Sequence, residues 1–463
     1  MVAVLAFAPA ARAGGPSLVI GAAEDDVRSP VLADAKAQMD LIRLAGFGAV
    51  RITQIWSPGE TTLAPADLAI LDNVVAAARL DGIEVIATVL NANAKTAPLT
   101  PEAQSDFAAY TADLLTQVPA IRHVIVGNEP NLNLYWLPQF DASGGDAAAT
   151  AYESLLAATY DAVKAADPMV EVIGGAVSPR GNDQPNGPRL THSPTTFIPD
   201  LGAAYRASGR TTPIMDAFAF HPYEDNSSIA PVKGLNPKST SVMIADYGKL
   251  VALLGKAFDG TPQPGSTLPI YYDEFGVQSQ IPPEEASLYT GAEQSTTKPV
   301  DEATQAVYYK QAIQLAFCSP TVKGFFIFHS VDETALTGWQ SGLYYPDGTP
   351  KASLVPTRLA IQEAHRGVVA HCPGLQLTPK AKASQRGARL VLSCDIDCTY
   401  VAQLYRLPGM LLTTRRGRAI GGVATTLPVQ APRAAGRYRL RLTLTAPVNL
   451  GKPAIVLLPV SPR

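Results

Sequence analysis

The sequence predicts an α/β fold: a (β/α)8 barrel (TIM barrel) followed by a small antiparallel β-sandwich. Three observations support this. Eight short apolar runs alternate with helical patterns, long loops follow those runs, and the C-terminal part differs in pattern and charge. The 463 residues are 47% hydrophobic, enough for a large core. No apolar run approaches the ~20 residues of a membrane-spanning helix, and a net charge of −3 does not indicate a nucleic-acid binder.

The predicted barrel domain extends over residues 16–368 and contains eight strands. Each strand is a mostly apolar run, as expected for parallel strands that are buried on both faces. The predicted strands are residues 18–22, 49–55, 83–90, 123–128, 170–174, 217–221, 270–274 and 324–329. Eight strands in alternation with helices is the count of this barrel.

Helical patterns separate the strands. The clearest are residues 31–44, 65–80, 102–115, 150–166 and 302–317. Pro65 and Pro101 lie where a helix start tolerates proline, and Thr100 is a predicted cap. The loops after the strands are long and the loops before them are short, so one face of the barrel carries most of the irregular chain. An open doubly wound sheet is the alternative, but no glycine-rich phosphate loop follows a strand.

The C-terminal region, residues 372–463, predicts a separate basic domain. Residues 437–444 alternate polar and apolar side chains, as in a half-buried strand, and residues 389–393, 399–407 and 454–458 are further strands. This pattern is typical of an antiparallel β-sandwich. Residues 371–463 carry a net charge of +12, and residues 1–370 carry −15. The split in charge supports two domains.

The basic side chains of this domain have two interpretations. They could contact an anionic cell-surface polymer. Alternatively, they only solvate one face of a sandwich that packs on the acidic barrel, and we favour this simpler interpretation. The clustered arginines are Arg415, Arg416 and Arg418, with the alternating Arg437, Arg439 and Arg441.

The N-terminus and the cysteines indicate export. Residues 1–8 are apolar, and residues 11–13 match the small-x-small pattern of a signal-peptidase site, so we expect residues 1–13 to be the remnant of a secretory signal. The alternative is an ordinary disordered N-terminal segment. The spacing of the four cysteines is not that of a zinc site. We therefore expect a secreted, extracellular protein.

Two glutamates at strand ends are the sharpest chemical signal. Glu129 follows Asn128 at the end of the fourth strand, and Glu274 ends the seventh. Cleavage of a glycosidic bond requires two carboxylic acids, one protonated and one ionised. A single such glutamate could equally be a satisfied buried carboxylate, but the pair favours catalysis. Asp273 has the opposite strand parity, and we expect it to be structural.

Asn-Glu-Pro at strand four with Asp-Glu-Phe-Gly at strand seven resembles glycoside hydrolase clan A, the retaining "4/7" superfamily. Within it, the chain is most similar to the cellulase-like and β-xylosidase-like families over roughly residues 17–365. The resemblance implies that Glu129 is the general acid/base and Glu274 the nucleophile. It also implies that Asn128 binds the sugar 2-hydroxyl.

Looser matches suggest further site residues. Arg51 on strand two is similar to an arginine that pairs with the nucleophile, where a cation would keep Glu274 ionised. Its alternative is an ion pair of the barrel core. His221 and Tyr223 end strand six, where the clan often places a hydrogen-bonding residue beside the nucleophile. A histidine that only anchors the loop is the alternative there.

The aromatic residues and the departures from the family pattern bear on which sugar the site binds. Trp56, Trp136 and Trp339 fall in segments between strands and loops, where they would stack on sugar faces or simply pack the loops. The clan commonly places a tryptophan at the end of strand eight, where this chain has His329. Strand three ends at Asn91, without the histidine of many cellulase-like members.

The cysteines fit two disulfides. Cys318 would end helix seven and Cys372 would follow helix eight, so both would lie at the bottom of the barrel, while Cys394 and Cys398 would bracket the first turn of the sandwich. Pairs Cys318–Cys372 and Cys394–Cys398 suit an exported protein.

The sequence thus predicts a retaining O-glycoside hydrolase acting on β-linked oligo- or polysaccharide, with a covalent glycosyl-enzyme. The two carboxylates supply both the proton and the nucleophile, so the predicted reaction needs no metal and no cofactor. Carboxyl groups about 5 Å apart would fit retention. The alternatives are a non-catalytic glycan-binding barrel and a transglycosylase.

Overall fold

The structure is a computed structural model that describes residues 14–234, 238–368, 372, 378–394, 396–421, 423–446 and 452–463. The predicted signal remnant, residues 1–13, and the predicted domain boundary at residues 369–371 lie outside the described residues. The chain divides into two compact units. The barrel unit is Val19–Ala316 with Thr321–Arg358, and the C-terminal unit is Leu359–Arg463 with Phe317–Pro320 and the segment before Val19.

Among the described residues, eight parallel strands close into a barrel in sequence order, which confirms the predicted fold class. The strands are β1 Val19–Ala23, β2 Ala49–Trp56, β3 Glu84–Asn91, β4 His123–Val126, β5 Glu171–Val177, β6 Ala217–Phe220, β7 Ile270–Phe275 and β8 Val322–Phe328. The helices are α1 Leu32–Ala45, α2 Pro65–Asp81, α3 Pro101–Gln117, α4 Ala147–Ala166, α5 Pro194–Ala207, α6 Tyr247–Phe258, α7 Glu302–Cys318 and α8 Leu354–His365. Short 3-10 helices lie at Gly15–Ser17, Ala94–Thr96, Ile244–Asp246 and Pro283–Leu288.

Local signals explain where the helices begin and end. The Thr100 hydroxyl accepts a hydrogen bond from the N–H of Ala103 at 3.2 Å, with Pro101 as the first residue of α3. Helix α2 ends at Gly82, whose φ of 68° is left-handed and favours glycine. In the described part of the chain, no helix is long and apolar enough to span a membrane.

A polar network occupies the amino-terminal end of the barrel. His123 contacts Glu171 and Glu84 through its two ring nitrogens, each at 2.7 Å, and Lys323 reaches Glu171 at 2.7 Å. Burial opposes charge on His123, but the hydrogen bonds of Glu171 and Glu84 raise its pKa to about 9. Burial likewise opposes charge on Glu171, yet His123 and Lys323 lower its pKa to about 2. The network is therefore ionised at neutral pH and joins the starts of β3, β4 and β5.

The C-terminal unit contains two antiparallel sheets, of order β13-β10-β9 and β12-β11-β14-β15, which confirms the predicted β-sandwich. Its strands are β9 Ala381–Arg386, β10 Arg389–Cys394, β11 Cys398–Arg406, β12 Met410–Ala419, β13 Thr425–Gln430, β14 Tyr438–Thr445 and β15 Ala454–Val460. On β14, Leu440 and Leu442 are buried in the core while Arg439 and Arg441 are exposed. Each fully buried leucine stabilises the fold by about 2 kcal/mol.

Both predicted disulfides are present. Cys318 is bonded to Cys372, and Cys394 to Cys398. The second links the end of β10 to the start of β11, so it closes the turn between the two sheets.

The His123 network predicts a specific pH dependence of stability. The raised pKa means that charged His123 stabilises the fold fully below pH 6.5, and this contribution, on the order of 2 kcal/mol, is lost as the pH rises through 9. We expect the His123→Gln variant to have a lower Tm than the wild type at pH 6 and a smaller difference at pH 9.5, measured by calorimetry. His365→Gln, which alters an exposed histidine, is the control. A Tm difference that is the same at both pH values would contradict the prediction.

Candidate active site

Glu129 and Glu274 lie at the carboxyl end of the barrel. Glu274 is within β7, and Glu129 follows β4. Glu129 has a φ of 39°, and its N–H donates to the carbonyl of Ala176 in β5 at 2.8 Å. A positive φ is uncommon for a residue with a side chain and clusters at functional sites. The neighbouring strand therefore holds Glu129 in a turn that most residues avoid.

Arg51 on β2 joins the two strand ends. Its buried guanidinium donates to Glu274 Oε1 at 2.7 Å and to Asn128 Oδ1 at 3.0 Å, and its Nε donates to Thr88 Oγ1 at 2.8 Å. The structure thus brings together three residues that the sequence singled out, Arg51, Asn128 and Glu274. The rigid fork of arginine fixes the amide and the carboxylate relative to each other.

His221 lies between the two glutamates and is fully buried. Its Nδ1 is 3.0 Å from Glu129 Oε1 and 3.4 Å from Glu274 Oε2, and its Nε2 is 3.3 Å from Asp273 Oδ2. Burial opposes protonation, but the charges of Glu274 and Asp273 raise the pKa of His221 to about 10. At neutral pH both ring nitrogens therefore carry protons and donate to carboxyl oxygens.

Tyr223 completes the contacts of Glu274. Its hydroxyl donates to Oε2 at 3.0 Å, so Arg51 and Tyr223 hold different oxygens of the same carboxylate. Burial, followed by the charge of Glu274, raises the pKa of Tyr223 well above its usual value, which keeps it a neutral donor. Its ring stacks on Phe275 and lies 4.9 Å from the half-buried Trp339. Of the three predicted tryptophans, Trp339 is the one beside the site.

Asp273, which the sequence predicted to be structural, shares its partners with Glu274. It is fully buried and contacts both His221 and Arg51, the latter at 3.4 Å. The pairing of β7 with β8 shifts register between Tyr272 and Phe275, and such an irregularity breaks the two-residue alternation. Burial opposes its ionisation, but the charges of His221 and Arg51 lower the pKa of Asp273.

Trp56 and Trp136 correct a sequence-based expectation. Both side chains are buried: Trp56 packs edge-on against Phe107 and donates to the carbonyl of Glu60, and Trp136 packs edge-on against Tyr152. A buried ring has no face free for a sugar, so the prediction that these two stack on substrate is wrong. Their apolar area stabilises the packing beneath the loops.

His329 is held at the edge of the site. Its Nδ1 is 3.0 Å from the carbonyl oxygen of Ala23 at the end of β1. The neighbouring Glu24, which sequence reasoning missed, is buried, and its Oε2 accepts hydrogen bonds from the N–H and hydroxyl of Ser330 and the N–H of Val331. Glu24 therefore fixes the chain after β8. Its position two residues after the first predicted strand was the signal that could have identified it.

Tyr135 is a second residue that sequence reasoning missed. It lies in the loop after β4, and its carbonyl oxygen accepts a hydrogen bond from Nδ2 of Asn91 at 2.8 Å. Burial and then the charges of Glu129 and Glu274 raise the pKa of its hydroxyl. Nothing in the pattern of a long loop distinguishes this tyrosine from its neighbours. Within the described residues, no group of His, Cys, Asp and Glu side chains has the arrangement of a metal site.

Comparison with known proteins supports the fold. No protein-family model and no curated protein matches the sequence. Solved structures do match. GH5_18 from Streptomyces cattleya in complex with GlcNAc has a TM-score of 0.52 at 16% identity, covering 79% of this chain and 84% of that chain. A glucosidase from Croceicoccus marinus has a TM-score of 0.50 at 14% identity, covering 91% and 95%.

A larger structure also matches. The β-glucuronidase of Bacteroides uniformis has a TM-score of 0.47 at 12% identity, and the match covers 96% of this chain and 46% of that chain. The chain thus spans about half the length of this enzyme. The likeness to the Streptomyces cattleya and Croceicoccus marinus structures, at 16% and 14% identity, shows the fold.

The position of Asp273 predicts the charge state of His221. Replacing Asp273 by Asn removes a negative charge 3.3 Å from Nε2, so we expect the pKa of His221 to fall by about one unit or more. Histidine side-chain ¹H–¹⁵N spectra recorded from pH 6 to 11 would measure it, with His221→Asn for assignment. Asp161→Asn, an exposed carboxylate on α4, is the control. An unchanged His221 titration in Asp273→Asn would show that Asp273 does not determine this charge.

Proposed function

We propose that this protein is a retaining O-glycoside hydrolase that cleaves β-linked oligo- or polysaccharides. One observation carries the proposal: a single nitrogen, His221 Nδ1, lies 3.0 Å from an oxygen of Glu129 and 3.4 Å from an oxygen of Glu274. Those two oxygens cannot be further apart than the sum of the distances. Two carboxyl groups that flank one imidazole nitrogen suit the short separation of retaining enzymes, in which a carboxylate attacks directly, better than the wide gap that an inverting enzyme keeps for a water molecule.

In the proposed first step, Glu129 gives its proton to the glycosidic oxygen while Glu274 attacks the anomeric carbon. The bond to the leaving group breaks as an ester bond to Glu274 forms. In the second step, Glu129 takes a proton from water, which attacks the same carbon and releases Glu274. The configuration is retained because two inversions occur in succession.

The surrounding residues support these roles. Arg51 and Tyr223 hold the two oxygens of Glu274, so the attacking carboxylate is oriented before substrate arrives. His221 donates to one oxygen of Glu129, which leaves the other oxygen to carry the catalytic proton. Asn128 is fixed by Arg51 in the position from which we propose that it binds the sugar 2-hydroxyl.

Export and a surface contact are further parts of the proposal. The two disulfides support an oxidising, extracellular location. The contact with an anionic cell-surface polymer stays a prediction. It is supported by exposed Arg439 and Arg441, which line a groove of about 490 Å³ together with Tyr405. Residues 398–463 contain no acidic residue, so no carboxylate offsets this charge.

The catalytic proposal predicts a trapped intermediate. After incubation with activated 2-deoxy-2-fluoro glycosides, intact-mass spectrometry should show a glycosyl adduct on the wild type and none on Glu274→Gln. Glu129→Gln should hydrolyse unactivated β-glycosides about 10²- to 10⁴-fold more slowly, because general acid catalysis is lost. Glu284→Gln, an exposed glutamate in the loop after β7, is the matched control.

Three outcomes would contradict parts of this proposal. Hydrolysis with inverted configuration would overturn the retaining mechanism. Transfer to a sugar acceptor in preference to water would indicate a transglycosylase. Glycan binding that is unchanged in Glu129→Gln, without hydrolysis or an adduct, would favour a non-catalytic glycan-binding barrel.

The surface contact has its own test. We expect the full-length Arg439→Gln/Arg441→Gln variant to elute from immobilised heparin at lower salt than Lys382→Gln/Arg386→Gln. Both variants lose the same charge, but the second alters β9 in the other sheet. If both variants elute at the same salt concentration, binding depends on net charge and not on a defined face of the domain.

A further inference from the structure

A cavity of about 870 Å³ lies beside Glu129 and has no role in the chemistry proposed above. It is lined by the loops that follow β4 and β5, with one residue of the loop before α6. The N–H of Leu132, a lining residue, donates to the carbonyl of Glu129 at 2.9 Å. The amide of Asn131 hydrogen-bonds both backbone groups of Ser178, so the two loops are fixed to each other. These hydrogen bonds therefore connect the lining of the cavity to the turn that carries Glu129.

The lining of this cavity is basic. Arg180 and Arg189 contribute to it, and none of the described residues that line it is acidic. The Nη2 of Arg180 donates to the carbonyl oxygens of Glu224 at 2.6 Å and Tyr223 at 3.3 Å, which anchors the guanidinium. Arg189 is exposed. Leu132 adds apolar surface of the kind that packs on the C–H face of a sugar.

Nearby carboxyl groups cancel only part of this charge. Asp225 Oδ1 lies 3.5 Å from Nε of Arg180, which is long for an ion pair, and the side chain of Asp225 is half exposed. Glu224 is buried, and neither of its carboxyl oxygens has a hydrogen-bond partner among the described residues. Burial, followed by the charges of Asp246 and Asp225, raises its pKa to about 9, so Glu224 is neutral at pH 7. The cavity therefore keeps a positive charge.

We infer that this cavity is a subsite for an anionic sugar unit, one that bears a carboxylate or a sulfate ester, on the leaving-group side of the scissile bond. The inference rests on the proposed function, in which Glu129 protonates the leaving group and so faces it. Arginine binds planar anions through two parallel hydrogen bonds. The volume lies within the range of ligand pockets and admits about one or two sugar rings.

The test measures binding, so it does not depend on turnover. Calorimetric titration of full-length Glu274→Gln would use β-1,4-linked tetramannuronate, sulfated cellotetraose and neutral cellotetraose at 50 and 300 mM salt. We expect one or both anionic probes to bind more tightly than cellotetraose, and added salt to weaken only anionic binding. The two anionic probes distinguish a carboxylate from a sulfate.

Substitutions locate the subsite. Adding Arg189→Gln should weaken the binding of the preferred anionic probe by about tenfold and leave cellotetraose unaffected, since about 1.4 kcal/mol is a modest value for one charged hydrogen bond. Arg180→Lys keeps the charge but loses the two hydrogen bonds that anchor the guanidinium, so the displaced cation should also weaken anionic binding. Arg79→Gln, an exposed arginine on α2, is the control.

Anionic probes that bind no better than cellotetraose, or that bind equally well to Arg189→Gln, Arg180→Lys and Arg79→Gln, would overturn the inference. Absence of binding by both anionic probes would overturn it as well. None of these results bears on whether Glu274 forms a covalent adduct, so failure of the subsite is distinguishable from failure of the proposed function.

Discussion

Two buried cations, Arg51 and His221, allow three acidic residues to occupy one end of the barrel. Each cation contacts Asp273, and together they contact Glu129 and Glu274. A buried charge without a partner is costly, and like charges at close range cannot all remain ionised. The positions of both glutamates therefore depend on the same two side chains. Asp273 offsets the charge of both cations and, among the described residues, contacts neither glutamate.

The barrel carries polar networks at both of its ends, with different consequences. At the amino-terminal end, Glu171 is engaged by His123, Lys323 and the hydroxyl of Tyr271, so its carboxylate is saturated with donors. At the carboxyl end, His221 holds one oxygen of Glu129 and shares its proton-bearing nitrogen with Glu274. The first network stabilises the strands, whereas the second presents carboxyl groups that can still hydrogen-bond another molecule.

Sequence patterns predicted the parts that follow strict geometry. Eight apolar runs sufficed for the barrel, and Glu129 and Glu274 stood out because they come directly at strand ends. Alternation did not predict that Asp273 shares Arg51 and His221 with Glu274, its neighbour on β7, where the pairing with β8 shifts register. Trp56 and Trp136 were misassigned because a loop aromatic can pack inward as readily as outward, and only tertiary contacts decide between these. Tyr135 reaches the site through the path of a long loop, which no local pattern encodes.

The anchoring of Arg180 links distant parts of the carboxyl end. Its guanidinium holds the backbone of Tyr223 and Glu224, and the side chain of Tyr223 holds an oxygen of Glu274. Arg180 is thus connected to the Glu274 carboxylate through one short segment of chain. The loop after β6 therefore couples the position of Arg180 to the orientation of the Glu274 carboxylate.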